Sequence, residues 1–249
     1  MSTPGRGGSG DGGGEGDGHG DGDGAAGDRG GQGAGTSDGG GQGAVASDAA
    51  RLEALWGGDF GDAYVERNRA AAAPRRPFWE ALLGEFPAKS VLEVGCNLGA
   101  NLIWVSELLP DGEVYGVDVN RKALREIRRS APDVSAVHAT ARQLPFRDGW
   151  FDLCFTAGVL IHQPPEVLPL VMAEIVRCSR RWVLCAEYFA ETLVEVPYRG
   201  ERGALYKRDF GGLYQQLFPE LTLQKQGFLA RSEGWDDLTW WMFEKPAGR

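Results

Sequence analysis

The chain contains no long hydrophobic run. Its uninterrupted apolar stretches are a few residues long, against the roughly 20 residues that a membrane-spanning helix requires, so no membrane partner is expected. It also lacks an excess of basic residues: 26 Lys and Arg stand against 35 Asp and Glu, for a formal net charge of −9. That balance gives no electrostatic reason to expect a nucleic acid partner. The first residues lack the basic-then-apolar pattern of a secretory signal, and a cytoplasmic location is expected. Cysteine is scarce. Cys96, Cys154, Cys178 and Cys185 show no metal-ligand spacing, so no metal centre is expected. Three of them fall in or beside predicted strands, and all four read as buried, reduced thiols.

What the chain has in excess is glycine, unevenly spread. Residues 1–50 hold 21 of the 38 glycines and almost no large apolar side chain. They carry eight carboxylates against Arg6 and Arg29, so −6 of the net −9 lies there and about −3 is left for the remainder. Such a segment cannot bury enough surface to offset its ordering entropy, and residues 1–50 are predicted to be a disordered tail. Residues 51–249 are long enough for one domain with a full core.

That domain is organised around Ser90–Asn101. An apolar strand (Val91, Leu92, Val94) runs into a turn with Gly95 and Gly99, and a helical pattern starts at once with Ala100, Leu102, Ile103 and Val105. Strand, glycine turn and helix together bring bare backbone up to a nucleotide-like ligand. Further strands are predicted at Val114–Val117, Val134–Ala139, Phe151–Phe155 and Trp182–Ala186. Asn120 is placed to cap a helix that Pro132 closes, and Pro164 opens an amphipathic helix. Residues 187–208 read as polar and irregular, followed by a short helix at Phe210–Phe218. Two strand-like runs, Leu221–Leu229 and Leu238–Phe243, suggest an antiparallel hairpin at the sheet edge. The pattern predicts an α/β fold, a doubly wound, seven-stranded, mostly parallel sheet with its crevice beyond the carboxyl ends of the strands. Upstream, residues 51–56 and 74–84 read as helices. Between them Phe60 and Tyr64 stand among glycines and charges, and two readings stay open: a flap over a ligand, or packing on the sheet.

A dinucleotide loop favours G-x-G-x-x-G, because pyrophosphate needs exposed amides and no nearby negative charge. Here Glu93 stands at the strand end and Asn97 where the second glycine belongs. A carboxylate in that place repels pyrophosphate and suits a cation or an ammonium group. Asp118 lies 19 residues past Gly99 at the end of the second strand, where it can accept both ribose hydroxyls.

With these residues in place the chain resembles the class I S-adenosylmethionine-dependent methyltransferases of the small-molecule group, over about residues 51–249. The resemblance rests on Val91–Gly99, Tyr115-Gly-Val-Asp118, Leu144-Pro-Phe-Arg-Asp148 and Gly158-Val-Leu-Ile-His162. More narrowly the chain is similar to methylases associated with pseudaminic acid biosynthesis, through Trp56, Phe60-Gly-Asp-Ala-Tyr64, Glu187-Tyr-Phe189, Tyr198-Arg-Gly-Glu201, Lys207-Arg-Asp-Phe210 and Trp240-Trp241. The resemblance implies a Rossmann-like methyltransferase fold and S-adenosyl-L-methionine as cofactor. It places Gly95, Cys96, Asn97 and Gly99 along the methionine part, Glu93 near its ammonium, Asp118 at the ribose, Val119 against adenine, and Thr140, Ala141 and Thr156 around the remainder. The family often has an acidic residue after the third strand for the adenine amino group, and here Thr140 stands there.

Methyl transfer needs alignment and exclusion of water more than covalent help, and a general base only if the acceptor must lose a proton. The candidates are His162, Glu187 and Tyr188, each just after a strand. For His162 a plain helix-start histidine is the alternative. Tyr64, Tyr198, Arg199 and Lys207 are the candidate acceptor contacts; Glu201, Arg208 and Asp209 lie in the same segment, which would otherwise be a solvated loop. Trp235, Trp240 and Trp241 read as edge-strand core. The expected acceptor is a polar small molecule of secondary metabolism, a sugar, nucleotide-sugar or amino-acid-like compound, methylated on oxygen or nitrogen. Alternatives are N-methylation of an amine or guanidine in a natural product, an NAD-dependent oxidoreductase, and a catalytically silent binding module.

Overall fold

A computed structural model describes residues 40–69 and 74–246. Most of the predicted tail, residues 1–39, lies outside the described residues. The tail does not reach residue 50: helix α1 runs Gly40–Gly57, and its Ala49 and Leu52 are buried. Composition taken over fifty residues hid a short alanine-rich stretch that is competent to form a helix. Helix α2 (Asp59–Asn68) and helix α3 (Arg76–Glu85) follow.

The sheet then builds by alternation: β1 (Ser90–Val94), α4 (Leu102–Leu108), β2 (Glu113–Asp118), α5 (Arg121–Ser130), β3 (Ser135–His138), β4 (Phe151–Ala157), α6 (Leu168–Cys178) and β5 (Ser179–Glu187). Residues 187–209, expected to be irregular, hold a two-stranded antiparallel ribbon of β6 (Val194–Glu195) and β7 (Tyr206–Lys207). Helix α7 (Phe210–Leu217) and strands β8 (Thr222–Leu229) and β9 (Leu238–Glu244) complete the described chain. The strand order is β3-β2-β1-β4-β5-β9-β8. The first five are parallel. β9 runs antiparallel between β5 and β8, so the predicted terminal hairpin does close the sheet. This is the Rossmann-like methyltransferase architecture. Its order reverses between β1 and β4, and there a crevice opens beyond the strand ends.

Burial follows the period of two that a strand imposes. Leu92, Cys154, Val183 and Cys185 face one core layer with α6 and α7, while Val91, Leu153, Phe155 and Leu184 face the other with α3, α4 and α5. The central strands are apolar on both faces because helices cover both. Trp79, Phe151, Phe155, Phe210 and Tyr214 are fully buried, each of the three phenylalanines contributing roughly 1.5–3 kcal/mol of burial free energy. All four cysteines are free and buried. Among the described residues no helix is long and apolar enough to cross a membrane, and no cluster of His, Cys, Asp and Glu could hold a metal.

Candidate active site

The turn after β1 is built on left-handed backbone. Gly95 (φ 74), Asn97 (φ 44) and Gly99 (φ 73) all have positive φ. Asparagine is among the few non-glycine residues that tolerate this region, so Asn97 serves where a glycine was expected. A Cβ on Gly95 would meet Val159 at 2.5 Å, so the turn packs directly on the loop after β4. The Asn97 N–H donates to Oδ2 of Asp118 at 2.8 Å, and the Asn120 N–H donates to Oδ1 at 2.7 Å. Asp118 thus ties the first loop to the second. Burial raises its pKa, while the N–H groups of Asn120, Asn97 and Val119 oppose the rise.

Glu93 is almost completely buried. Its Oε1 accepts a hydrogen bond from Asn101 Nδ2 at 2.6 Å, and its Oε2 has no partner. Burial pushes this carboxyl up to about 8, against the opposing effects of the Asn101 hydrogen bond and the Arg75 charge. Arg75 donates to Asn101 Oδ1 and to the Gly234 carbonyl, each at 3.0 Å, and lies 4.3 Å from the Trp235 ring centroid. Arg75 and Trp235 therefore border the cleft; Trp235 is more than edge-strand core.

Glu93, Gly95, Cys96, Asn97, Asp118, Val119, Thr140 and Ala141, all read from the sequence as cofactor contacts, line one cleft. Gly99 and Thr156 do not. A Cβ on Gly99 would meet Ile127 at 3.2 Å, so this glycine lets the turn pack on α5. Thr156 is fully buried in β4.

An acid from another part of the chain reaches Thr140. The Thr140 hydroxyl donates to Glu53 of α1, and Arg142 donates to both Glu53 oxygens at 2.7 Å. Glu53 lines the cleft. Asn120 holds the same region closed: its Oδ1 caps α5 through the Ala123 N–H, and its Nδ2 donates to the Trp56 carbonyl and to Asp62 Oδ1. Glu53 pairs across 87 residues with Thr140, and no local pattern could have revealed it. Gly61, Tyr64, Val65 and Asn68 of α2 also line the cleft. The segment with Phe60 and Tyr64 thus both packs on the domain and covers the site.

The three proposed bases fare differently. Glu187 is buried outside the cleft. Its carboxylate accepts the backbone N–H groups of Val159 (3.2 Å), Leu160 (3.1 Å) and Ile161 (3.3 Å), which start the 3-10 turn Leu160–His162. A carboxylate after a central strand can be satisfied by such a turn as well as by a pocket. Burial still pushes it up to about 7. Tyr188 lines the cleft, but burial raises its hydroxyl to about 12, which suits it poorly to take a proton. His162 lines the cleft, with Nδ1 2.6 Å from the Ala204 carbonyl oxygen. Burial pushes its pKa down to about 4.

Tyr64 and Tyr198 also line the cleft, whereas Arg199 and Lys207 do not. The Arg199 guanidinium lies 5.7 Å from the Tyr198 ring centroid, and Lys207 Nζ lies 5.1 Å from that of Tyr188. Their aliphatic stems and charges border aromatic rings of the site's rim. Asp209 is the N-cap of α7, accepting the Gly212 N–H at 2.8 Å. Trp240 and Trp241 are buried in β9, as expected.

Residues 91–181 match the family model described as a methyltransferase domain. A demethylmenaquinone methyltransferase of Staphylococcus aureus is 30% identical over 142 residues, 55% of this chain and 57% of that protein. An uncharacterized methyltransferase of Synechocystis sp. is 29% identical over 91 residues, 36% of this chain and 42% of that protein. The chain spans about half the length of the curated relatives it matches. The fold is shared with the 1,6-didemethyltoxoflavin-N1-methyltransferase of Burkholderia thailandensis, solved with 1,6-didemethyltoxoflavin and S-adenosylhomocysteine. That likeness has a TM-score of 0.62 at 18% identity and covers 81% of this chain and 90% of the other. Magnesium protoporphyrin IX methyltransferase from Synechocystis gives a TM-score of 0.60 at 13% identity, covering 79% and 99%.

Proposed function

We propose that this chain, whose residues 91–181 match a methyltransferase domain, moves the methyl group of S-adenosylmethionine to an oxygen or nitrogen of a small molecule. The observation that carries the reading is the orphaned Oε2 of Glu93, buried in the cleft that Asp118 also lines from the next strand end. An unpaired buried carboxylate is costly unless a cation meets it, and the amino-acid ammonium of S-adenosylmethionine supplies one. A pyrophosphate would meet the same oxygen with like charge, which argues against an NAD-dependent oxidoreductase. The donor set fits the cofactor along its length. Glu93 and the 95–98 backbone receive the methionine part, Asp118 the ribose hydroxyls, Val119 and Ala141 the adenine faces, and Glu53 with Thr140 the adenine edge. When bound, the cofactor supplies an already activated methyl group.

The chain's own residues then align the acceptor, exclude water and hold a proton. Among the three candidate bases His162 is favoured, because a carbonyl can only accept. Nδ1 therefore carries the hydrogen toward Ala204, and Nε2 keeps its lone pair. Glu187 acts at one remove, holding the turn that bears His162. The narrower kinship with pseudaminic-acid-associated methylases rests on the sequence motifs alone; the packing of Trp56, Phe60, Tyr64 and Tyr198 about one wall does not single out that family. A place in secondary metabolism remains part of this proposal.

Calorimetry tests the reading. S-Adenosylhomocysteine is expected to bind and NADH not to. Asp118→Ala should weaken S-adenosylhomocysteine at least tenfold, because it removes the ribose acceptor and frees the Asn97 and Asn120 amides together. Binding of NADH alone would overturn the proposal, and an unchanged affinity in Asp118→Ala would overturn the ribose assignment.

A further inference from the structure

The acceptor side of the cleft is aromatic. Trp56 of α1 stands edge-on to Phe60 and Tyr64 at 5.3 and 5.4 Å between centroids. It lies 4.4 Å from the His162 ring, which in turn lies 5.3 Å from Tyr198. Tyr188 continues this lining from the end of β5. The rings come from four separate parts of the chain: the N-terminal helices, the turn after β4, the end of β5 and the β6–β7 ribbon. Their convergence on one cleft wall exceeds what core packing needs, since Trp56, Tyr64, His162, Tyr188 and Tyr198 are all incompletely buried. The buried carboxylate of the cleft, Glu93, belongs to the cofactor end, and the acceptor-side Asp236 is exposed. An ammonium or guanidinium acceptor would gain cation–π contact from these rings but meet only an exposed carboxylate on this side. A sugar would touch the wall through its C–H faces alone, whereas a flat aromatic compound matches the rings over its whole face.

Resting on the methyl-transfer reading, we infer that the acceptor is a flat aromatic or heteroaromatic compound bearing a dissociable O–H or ring N–H, laid against the Trp56–His162–Tyr198 wall, with His162 Nε2 receiving its proton. The acceptor's O–H or N–H bond breaks and the proton goes to Nε2. The electron pair left behind forms the new bond to the methyl carbon, and the pair of the broken carbon–sulfur bond stays on sulfur. The products are the methylated acceptor and S-adenosylhomocysteine, and the imidazolium returns its proton to water. The low basicity that burial gives His162 agrees with this class. A phenol, near 10, is far closer to its reach than an aliphatic alcohol.

The test uses the full chain saturated with S-adenosylhomocysteine and four probes followed by calorimetry: 2-naphthol, 2-methoxynaphthalene, glucosamine and agmatine. 2-Naphthol should bind best, and severalfold better than its methyl ether, which has no proton to donate. His162→Phe should abolish that preference while leaving S-adenosylhomocysteine affinity within about twofold. Trp56→Ala should weaken 2-naphthol at least fivefold. With labelled S-adenosylmethionine, 2-naphthol or 4-hydroxyquinoline should take up label, and His162→Phe should slow uptake by about 100-fold, the scale of a lost general base. If S-adenosylhomocysteine binds but glucosamine or agmatine is preferred, or neither 2-naphthol nor 4-hydroxyquinoline binds or takes label, the acceptor class is wrong and the methyl-transfer reading survives. An unaltered 2-naphthol preference in His162→Phe overturns the role of Nε2. Failure of S-adenosylhomocysteine to bind removes both.

Discussion

Glu93→Gln is expected to make the ligand-free protein more stable at pH 8 while weakening its hold on S-adenosylhomocysteine. The folded-state pKa of Glu93, about 8, lies above the ordinary 4.5. A carboxyl raised on folding contributes stability that is fully present below 4.5 and is lost as pH rises toward 8. At 1.36 kcal/mol per unit, that loss is on the order of 4 kcal/mol by pH 8. Glutamine is neutral throughout and keeps the oxygen that accepts from Asn101. Urea titrations of the two proteins should coincide near pH 4.5 and diverge as pH rises, with the variant the more stable. Over the same range the variant should lose about 10–100-fold in affinity, the scale of a charge-assisted hydrogen bond of 1.5–3 kcal/mol. A variant no more stable at pH 8 would show that Glu93 is not held against its charge. A variant with unchanged affinity would show that no ammonium meets it.

Glu187→Ala should have the opposite effect on stability and little on cofactor affinity. Alanine leaves the N–H groups of Val159, Leu160 and Ile161 without their shared acceptor and opens space inside the sheet. Unsatisfied buried donors cost about 1–3 kcal/mol each. The removed burial cost of a carboxyl with a pKa near 7 offsets part of this. A net loss of roughly 3 kcal/mol at pH 7 is expected, a fall in Tm of about 6–12 °C for a domain of this size. Turnover should fall with it, because His162 ends the same turn, while S-adenosylhomocysteine affinity should stay within about threefold in the folded fraction. A loss below about 1 kcal/mol would mean that the turn holds itself.

The two glutamates also show what could be read from the chain alone. Glu93, the glycine turn and Asp118 were legible because each is fixed locally by a strand end and the residues just after it. The five parallel strands and the terminal hairpin followed from periodicity for the same reason. Glu187 sits in an equally local position, but its partners are backbone amides of a turn 26–28 residues earlier. Backbone donors leave no mark in a sequence, so the side chain looked like a base. Glu53 was missed for the complementary reason: an acid was sought after β3, and the carboxylate that bonds Thr140 comes from a helix 87 residues upstream. Arg199 and Lys207 were read as acceptor contacts from their charge and the family motifs around them; in the structure their charged groups lie over the rings of Tyr198 and Tyr188.

Helix α1 has one further consequence. Glu53 and Trp56 are three residues apart and so project from neighbouring positions on the helix. One is fastened to Thr140 and Arg142, the other leans on His162. A single helix therefore lines the one cleft through both residues. On the proposed reading, a tilt of that helix favoured by the nucleoside would also move the indole beside the acceptor, and by linkage any such coupling would be equal in both directions.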